Sequence, residues 1–279
     1  MIFDLRTCDA AYNFVLEFLN ISGEKFIADY IVECESNIET LWEKYFDMID
    51  TINIQSLKIM AFHVTTTFDD CEGIKRNGLQ NLQKVLSEDT ILNQFLRKYG
   101  IKLDIPNRRL LYEQQAIDID YDKYRGRAGM TEHEEEIAKI ARRVFFDPCV
   151  NGFMVRDNVF TYSTIHKYPK FISILTDAFP KLQPMKIDWT QQSKTYKVDF
   201  YTHYRQVQNI TFDLGGTQYS PKNIYQELTY EQTIKKWLLY RAVARVYDEL
   251  GDVILYVKDD VDIIPAQIIS CTPIFQEDS

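Results

Sequence analysis

The chain has 279 residues, of which 46% are hydrophobic and 26% are charged, a composition that is ordinary for a globular protein. Its formal net charge of −9 disfavours a broad electrostatic hold on nucleic-acid backbones, while a local basic groove stays compatible with it. The apolar runs are too short to cross a bilayer, and the N-terminus has no basic region ahead of an apolar stretch. We therefore expect a cytoplasmic protein that does not associate with membranes.

The cysteines and histidines are dispersed along the chain. The five cysteines form no CxxC pair, and no two of the four histidines are close in sequence. Zinc sites built from local pairs need two ligands a few residues apart. We expect reduced, mostly buried cysteines and no metal site.

Residues 1–55 are predicted to form an N-terminal helical layer. Apolar side chains recur at three-and-four spacing over residues 10–19 and again over 24–49, which is typical of helices with one buried face. Such a stripe usually belongs to the core, although an aromatic-rich amphipathic helix also suits a partner's groove. Residues 56–279 are predicted to form one compound domain with a helical insertion at about 80–148.

A strand, a loop, a helix and a glycine follow one another from residue 57 onward. Residues 57–64 alternate as in a strand, residues 68–77 are predicted to be helical, and Gly78 is placed to end that helix. The strand ends near His63, and a small hydroxyl residue, Thr65, follows two positions on. On its own, a histidine in this position is typical of a half-buried strand residue whose ring is satisfied by a backbone carbonyl.

The segment Ala61-Phe62-His63-Val64-Thr65-Thr66, followed by Ile74 and Gly78-Leu79, resembles the first motif of the ADP-ribosyltransferase superfamily. Members that modify nucleic acids, and the related RNA 2′-phosphotransferases, show the same strand with His-x-Thr, helix and Gly-Leu. The resemblance implies an α+β fold with a split β core, and NAD as a substrate held by His63, Val64 and Thr65. Physically, a histidine at the end of a strand can hydrogen-bond a ribose hydroxyl.

The resemblance also implies an aromatic side chain that stacks on nicotinamide. Residues 151–155 form a predicted glycine-led strand, and residues 160–164 follow it in the expected order. Tyr162 and Phe153 are the two candidates for this stacking residue. Both can instead belong to the core.

The third implied element is a carboxylate at the start of a late strand, which would stabilise positive charge as the glycosidic bond breaks. Residues 253–257 are the predicted late strand, and residues 261–268 resemble the closing strand. Asp252 stands where the superfamily has glutamate, so Glu249, Asp252 and Glu227 are the candidates. The alternative is that Glu249 and Asp252 only occupy a helix-to-strand turn.

Cleavage of the bond between nicotinamide and ribose, with transfer of ADP-ribose to RNA, DNA or protein, is the activity that the resemblance implies. Relatives of this kind are commonly toxins of toxin–antitoxin pairs or phage-defence effectors, so an antitoxin or inhibitor protein is an implied partner. Three alternatives stay open: a binding protein that kept the fold and lost catalysis, an adaptor that recruits partners through residues 1–55, and the phosphotransferase branch. The last needs several arginines, for which Arg125 and Arg127 are the obvious candidates.

Overall fold

The structure is a computed structural model that describes residues 1–213 and 228–276. In those residues it contains ten α-helices: α1 (Cys8–Leu19), α2 (Gly23–Phe26), α3 (Ile38–Asp50), α4 (Glu72–Asn77), α5 (Leu82–Ser87), α6 (Ile91–Lys98), α7 (Glu132–Phe145), α8 (Lys170–Ala178), α9 (Pro184–Gln192) and α10 (Tyr230–Val246). None of the helices in these residues combines the length and the apolar character needed to cross a membrane.

The described strands form two sheets. They are β1 (Ile2–Phe3), β2 (Lys58–Thr67), β3 (Lys102–Asp104), β4 (Arg109–Tyr112), β5 (Gln115–Asp118), β6 (Asn151–Val155), β7 (Lys194–His203), β8 (Val253–Tyr256) and β9 (Ile268–Pro273). Six strands share one sheet in the order β8-β6-β2-β7-β9, with β1 parallel to β2, and β3-β4-β5 form a small antiparallel sheet. The fold is therefore a mixture of helices and largely antiparallel strands, as expected for an α+β protein.

The chain divides into two compact units. The first takes in Met1–Ala61, Gly152–Arg156 and the described residues of Tyr201–Tyr256. The second takes in Phe62–Asn151, Asp157–Phe200 and the described residues of Val257–Ser279.

The first unit is built on α1 and α10. Thr7 caps α1 by accepting a hydrogen bond from the Ala10 amide, and Asn20 ends the helix in the left-handed conformation. Aromatic rings fill the space between the elements, with Phe3 4.9 Å from Phe14 and 5.5 Å from Trp237 between ring centroids. The prediction that the aromatic stripe of α1 belongs to the core is confirmed.

The predicted helix over residues 24–49 is wrong as a single element. A π-helical turn, Ile27–Glu33, continues α2, and the chain then reverses before α3 begins. Glu35 and Ser36 have positive φ angles, and the Asn37 side chain accepts hydrogen bonds from the amides of Glu39 and Thr40. The asparagine cap therefore starts a new helix. The periodicity of apolar residues does not show this break, because the three-and-four spacing of the first helix continues into the second.

The predicted strand, helix and glycine stop around residues 57–78 are confirmed, with a longer strand and a shorter helix. Strand β2 runs to Thr67, and α4 begins only at Glu72. Asp69 accounts for the late start, since its carboxylate accepts hydrogen bonds from the Thr67 hydroxyl and the Gly73 amide.

The insertion at about 80–148 is not entirely helical, which corrects the prediction. It contains α5, α6 and α7, but β3, β4 and β5 lie between them and pair in register as a three-stranded antiparallel sheet. The sequence signal is weak because these strands have only three or four residues each. Helix α7 begins with a capping box, in which Thr131 and Glu134 exchange hydrogen bonds.

The core of the second unit centres on Trp189 of α9. Its ring packs edge-on against Phe95 at 4.9 Å and against Phe68 at 4.9 Å between centroids. Its indole N–H donates to the hydroxyl of Thr66 on β2, over 2.8 Å. This bond satisfies the indole inside an apolar core and joins β2 to α9.

The closing strand begins later than predicted. Residues 261–264 make only an isolated bridge, between Ile263 and Leu79, and β9 starts at Ile268. A short turn at Pro265–Gln267 separates the two, since proline supplies no amide to a ladder. The late strand predicted over residues 253–257 is confirmed as β8, which ends one residue earlier.

Candidate functional site

His63 lies in the part of β2 that belongs to the second unit. His63 and Thr65 are two positions apart and so share one face of the strand, whereas Val64 faces the other way and is buried. The Nδ1 atom of His63 lies 2.7 Å from the backbone carbonyl oxygen of Asn151, the first residue of β6. Because a carbonyl oxygen only accepts, Nδ1 carries the hydrogen and Nε2 carries the lone pair.

The imidazole of His63 is held in its neutral form. Burial is the main cause that lowers its pKa below the ordinary 6.5, and the nearby Arg143 cation acts in the same direction. The hydrogen bond to Asn151 opposes these effects without cancelling them. His63 therefore presents a neutral ring whose tautomer is fixed by the backbone, the arrangement that sequence reasoning named as the ordinary alternative for a lone histidine.

A short polar chain continues beyond Asn151. The thiol of Cys149 donates to the Asn151 side-chain oxygen over 3.0 Å, and Arg143 pairs with Asp147 over 2.8 Å. Burial, and then the charge of Asp147, raise the pKa of the Cys149 thiol to about 12. Cys149 is thus a protonated donor and no nucleophile. Sequence reasoning missed this chain because its members are recognisable only once β6 lies beside β2.

The Gly78-Leu79 part of the motif has a structural explanation. Gly78 has a φ angle of +79°, and a Cβ atom there would lie 1.9 Å from the carbonyl oxygen of Ile263. Leu79 and Ile263 exchange two backbone hydrogen bonds, of 2.8 and 2.9 Å. Asp262 adds a carboxylate that accepts from the Asn81 amide and pairs with Lys84. Glycine is required because two backbone segments meet at this point.

The two aromatic candidates fall in different units. Phe153 is buried in β6 within the first unit. Tyr162 is partly buried and follows a short turn at Val159–Thr161 within the second unit, the unit that also holds His63. Tyr162 is therefore the candidate that belongs to the same compact unit as His63 and Thr65.

The carboxylate candidates in the described residues belong to the first unit. Glu249 is exposed just beyond α10, and its amide donates to the Ala244 carbonyl. Asp252 forms an ion pair with Arg156, the residue that follows β6. Glu227 lies outside the described residues.

The two loop arginines lie on the surface of the second unit. Arg127 pairs with Glu134 over 2.9 Å, and the Arg125 guanidinium lies 5.9 Å from the ring centroid of Phe146. Both side chains are exposed, so these contacts are typical of a surface connection.

Thiol and metal chemistry have little support in the part of the chain that the structure describes. All five cysteines are unpaired as disulfides, and burial raises the pKa of Cys71 to about 12. Across residues 1–213 and 228–276, no three histidine, cysteine or carboxylate side chains cluster as metal ligands would.

Comparison of the chain with protein-family models, with curated proteins and with solved structures finds no match.

Proposed function

We propose that this protein is an NAD-dependent ADP-ribosyltransferase that modifies a macromolecular acceptor, with a split β core of the ADP-ribosyltransferase type. The observation that carries the proposal is the state of His63. Its Nδ1–H is committed to Asn151, so the neutral ring offers Nε2 as an acceptor for a ribose hydroxyl. Thr65 offers a hydroxyl from the same face of β2.

In the proposed reaction, the bond between nicotinamide and ribose breaks as the ribose carbon gains positive charge. Nicotinamide leaves as a neutral molecule, and a nucleophilic atom of the acceptor then bonds to that carbon and loses its proton. His63 and Thr65 would orient the dinucleotide, and Tyr162 would stack on the nicotinamide ring. A fixed carboxylate favours the developing cation because it needs no reorganisation.

The superfamily pattern expects a glutamate in that role, and Glu249 is the candidate in the described residues that keeps this side chain. Asp252 already has Arg156 as a partner, and a guanidinium beside a carboxylate reduces the negative potential available to a cation.

The experiment that tests this proposal is nicotinamide release from NAD by wild-type, Glu249→Gln and Asp252→Asn proteins. We expect Glu249→Gln to reduce the release rate at least about 100-fold, because glutamine carries no charge to stabilise the developing cation. Asp252→Asn should retain most of the activity. The reverse order would assign the role to Asp252, and no release by the wild type would contradict the catalytic proposal.

One observation favours a second candidate function, a binding protein that retains the fold without turnover. Asp252, at the position where the superfamily has glutamate, is bound to Arg156. Such a protein would bind NAD with an affinity that depends on His63, yet would release no nicotinamide. Equilibrium binding measured beside the release assay separates the two functions.

A further inference from the structure

The end of α7 and the turn at Tyr121–Lys123 meet on the surface of the second unit. Phe146 directly follows α7, and its side chain is 48% exposed. The Tyr121 ring packs against it with 5.1 Å between ring centroids. Tyr121 therefore supports one part of the Phe146 ring, while much of the rest is open to solvent.

Two guanidinium groups approach this ring. The Cζ atoms of Arg125 and Arg142 lie 5.9 and 5.7 Å from the Phe146 centroid, and both arginine side chains are exposed. A guanidinium at this distance is attracted to the ring and keeps its charge and its N–H donors. Contact with the neutral ring thus positions the two arginines without cancelling their charge.

The neighbouring cations differ from these two arginines. Residues 121–129 and 137–146 together contain six lysines and arginines and one carboxylate, in a chain whose net charge is −9. Four of the six cations form ion pairs with carboxylates: Lys123, Arg127, Lys139 and Arg143. The other two are Arg125 and Arg142, so the uncompensated positive charge of this surface is concentrated beside the exposed ring.

An exposed aromatic ring next to two guanidinium groups suits single-stranded nucleic acid. Unpaired bases stack on aromatic rings and on guanidinium planes, and phosphates accept hydrogen bonds from guanidinium N–H groups. In a duplex the neighbouring base pairs cover the base faces, so the ring would have nothing to stack on. The negative charge of the whole chain does not oppose this binding strongly, because salt screens exposed charges that lie more than about 10 Å away.

This surface also lies within electrostatic reach of His63. Arg143, which precedes Val144 on α7 and follows Arg142, is the cation that contributes to lowering the pKa of His63. A nucleic acid bound at the end of α7 would therefore approach the residue assigned to NAD.

We propose that Phe146, Arg125 and Arg142 form a binding surface for single-stranded nucleic acid, in which the ring stacks on a base and the guanidinium groups bind phosphates. The binding itself is independent of NAD. The role of the bound strand as the acceptor of ADP-ribose rests on the proposed function.

The test is the binding of fluorescently labelled single-stranded RNA and DNA of about 12 nucleotides to the full-length protein without NAD, at several salt concentrations. Phe146→Ala should weaken binding about tenfold, a change typical of one lost base stack, and Phe146→Tyr should bind like the wild type. Arg125→Gln and Arg142→Gln should each weaken binding and reduce the slope of log affinity against log salt concentration by about 0.7. Arg127→Gln is the matched control, because Arg127 pairs with Glu134 and its loss should leave that slope unchanged.

Each outcome bears on a distinct claim. Equal binding by the wild type, Phe146→Ala and the Arg125 and Arg142 variants would overturn the inference, as would an absence of binding or a preference for a duplex of the same sequence. In these cases the nicotinamide-release assay still judges the proposed function. Binding that depends on Phe146 and both arginines would support the inference, and the strand bound more tightly would identify RNA or DNA as the ligand. If no ADP-ribose is then transferred to that strand, the release assay decides whether the enzyme or only the acceptor role is contradicted.

Discussion

His63 combines a polar ring with a partly buried position in a strand, and its backbone partner determines its state. The folded protein holds the ring neutral, while the unfolded chain takes up a proton near the ordinary pKa of 6.5. A group whose pKa is lowered on folding binds more protons in the unfolded state. Its contribution to stability is therefore complete above that pH and decreases as the pH falls below it.

We predict that the stability advantage of the wild type over His63→Gln shrinks on going from about pH 8 to about pH 5, because only the wild type must keep this imidazole unprotonated. Denaturant unfolding at several pH values measures the difference. A difference that is constant over this range, or that grows as the pH falls, would mean that the folded state does not depress the pKa of His63.

Two adjacent threonines of β2 should respond differently to the same substitution. The Thr66 hydroxyl accepts a hydrogen bond from the indole N–H of buried Trp189. Thr66→Val leaves that N–H without an acceptor and should lower the free energy of unfolding by about 1–3 kcal/mol. Thr65 lies on the His63 face, so Thr65→Val should leave stability within about 0.5 kcal/mol and weaken NAD binding. Thermal unfolding and NAD titration of both variants check the prediction. Equal losses of stability would argue against these opposed roles.

At the scale of elements, the segment after α4 is tied to the chain near Ile263 by backbone contact. We predict that Gly78→Ala lowers the free energy of unfolding by about 3 kcal/mol or more, since it combines an unfavourable φ angle with overpacking against a carbonyl oxygen. The matched control is Gly100→Ala. Gly100 also has a positive φ angle, of +72°, but nothing lies within 4 Å of a Cβ there, so its cost should be only about 1 kcal/mol.

Chemical denaturation of the two alanine variants separates conformational strain from close approach. Equal destabilisation by Gly78→Ala and Gly100→Ala would show that close contact between the Gly78 and Ile263 backbones does not add to the cost of the substitution. A larger loss for Gly78→Ala would explain the Gly-Leu part of the motif by packing alone, independent of any ligand.

Elements with strong local signals were predictable from the sequence. The apolar spacing of α1 and α10, the Thr131–Glu134 capping box and the alternation of β2 each depend on residues close together in the chain. The three-stranded sheet and the break at Glu35 were not predictable, because very short strands and a left-handed turn without glycine leave little trace in composition. Buried Lys235 and Lys236 of α10 were also missed, since their partners, Asp50 and Glu39, are about 190 positions away.

At the scale of the whole molecule, the sequence predicted a strand that ends at His63 with Thr65 two positions on, and in the structure β2 is longer and includes both residues. The sequence alone could not identify the hydrogen-bond and ion-pair partners of the candidate residues. The Asn151 carbonyl that fixes His63 and the Arg156 that neutralises Asp252 both depend on strand neighbours. Local motifs in the sequence thus identify candidate residues. The charge and hydrogen-bond partners of those residues depend on contacts between segments that are distant in the chain.

The central claim is that His63 serves NAD chemistry, and one comparison tests it most directly. Purified wild-type, His63→Ala and His203→Ala proteins are incubated with NAD labelled in its ADP-ribose part and a cell lysate, and aliquots are then treated with nuclease or protease. His203 is the matched control, because its Nδ1 also contacts a backbone carbonyl oxygen, that of Leu57, at 3.1 Å.

We expect the wild type and His203→Ala to transfer label to macromolecules, and His63→Ala to do so at a rate at least about 100-fold lower. Loss of the label after nuclease treatment would identify a nucleic acid as the acceptor, and loss after protease treatment would identify a protein. Equal transfer by all three proteins, or none by a folded wild type freed of any inhibitor protein, would contradict the claim.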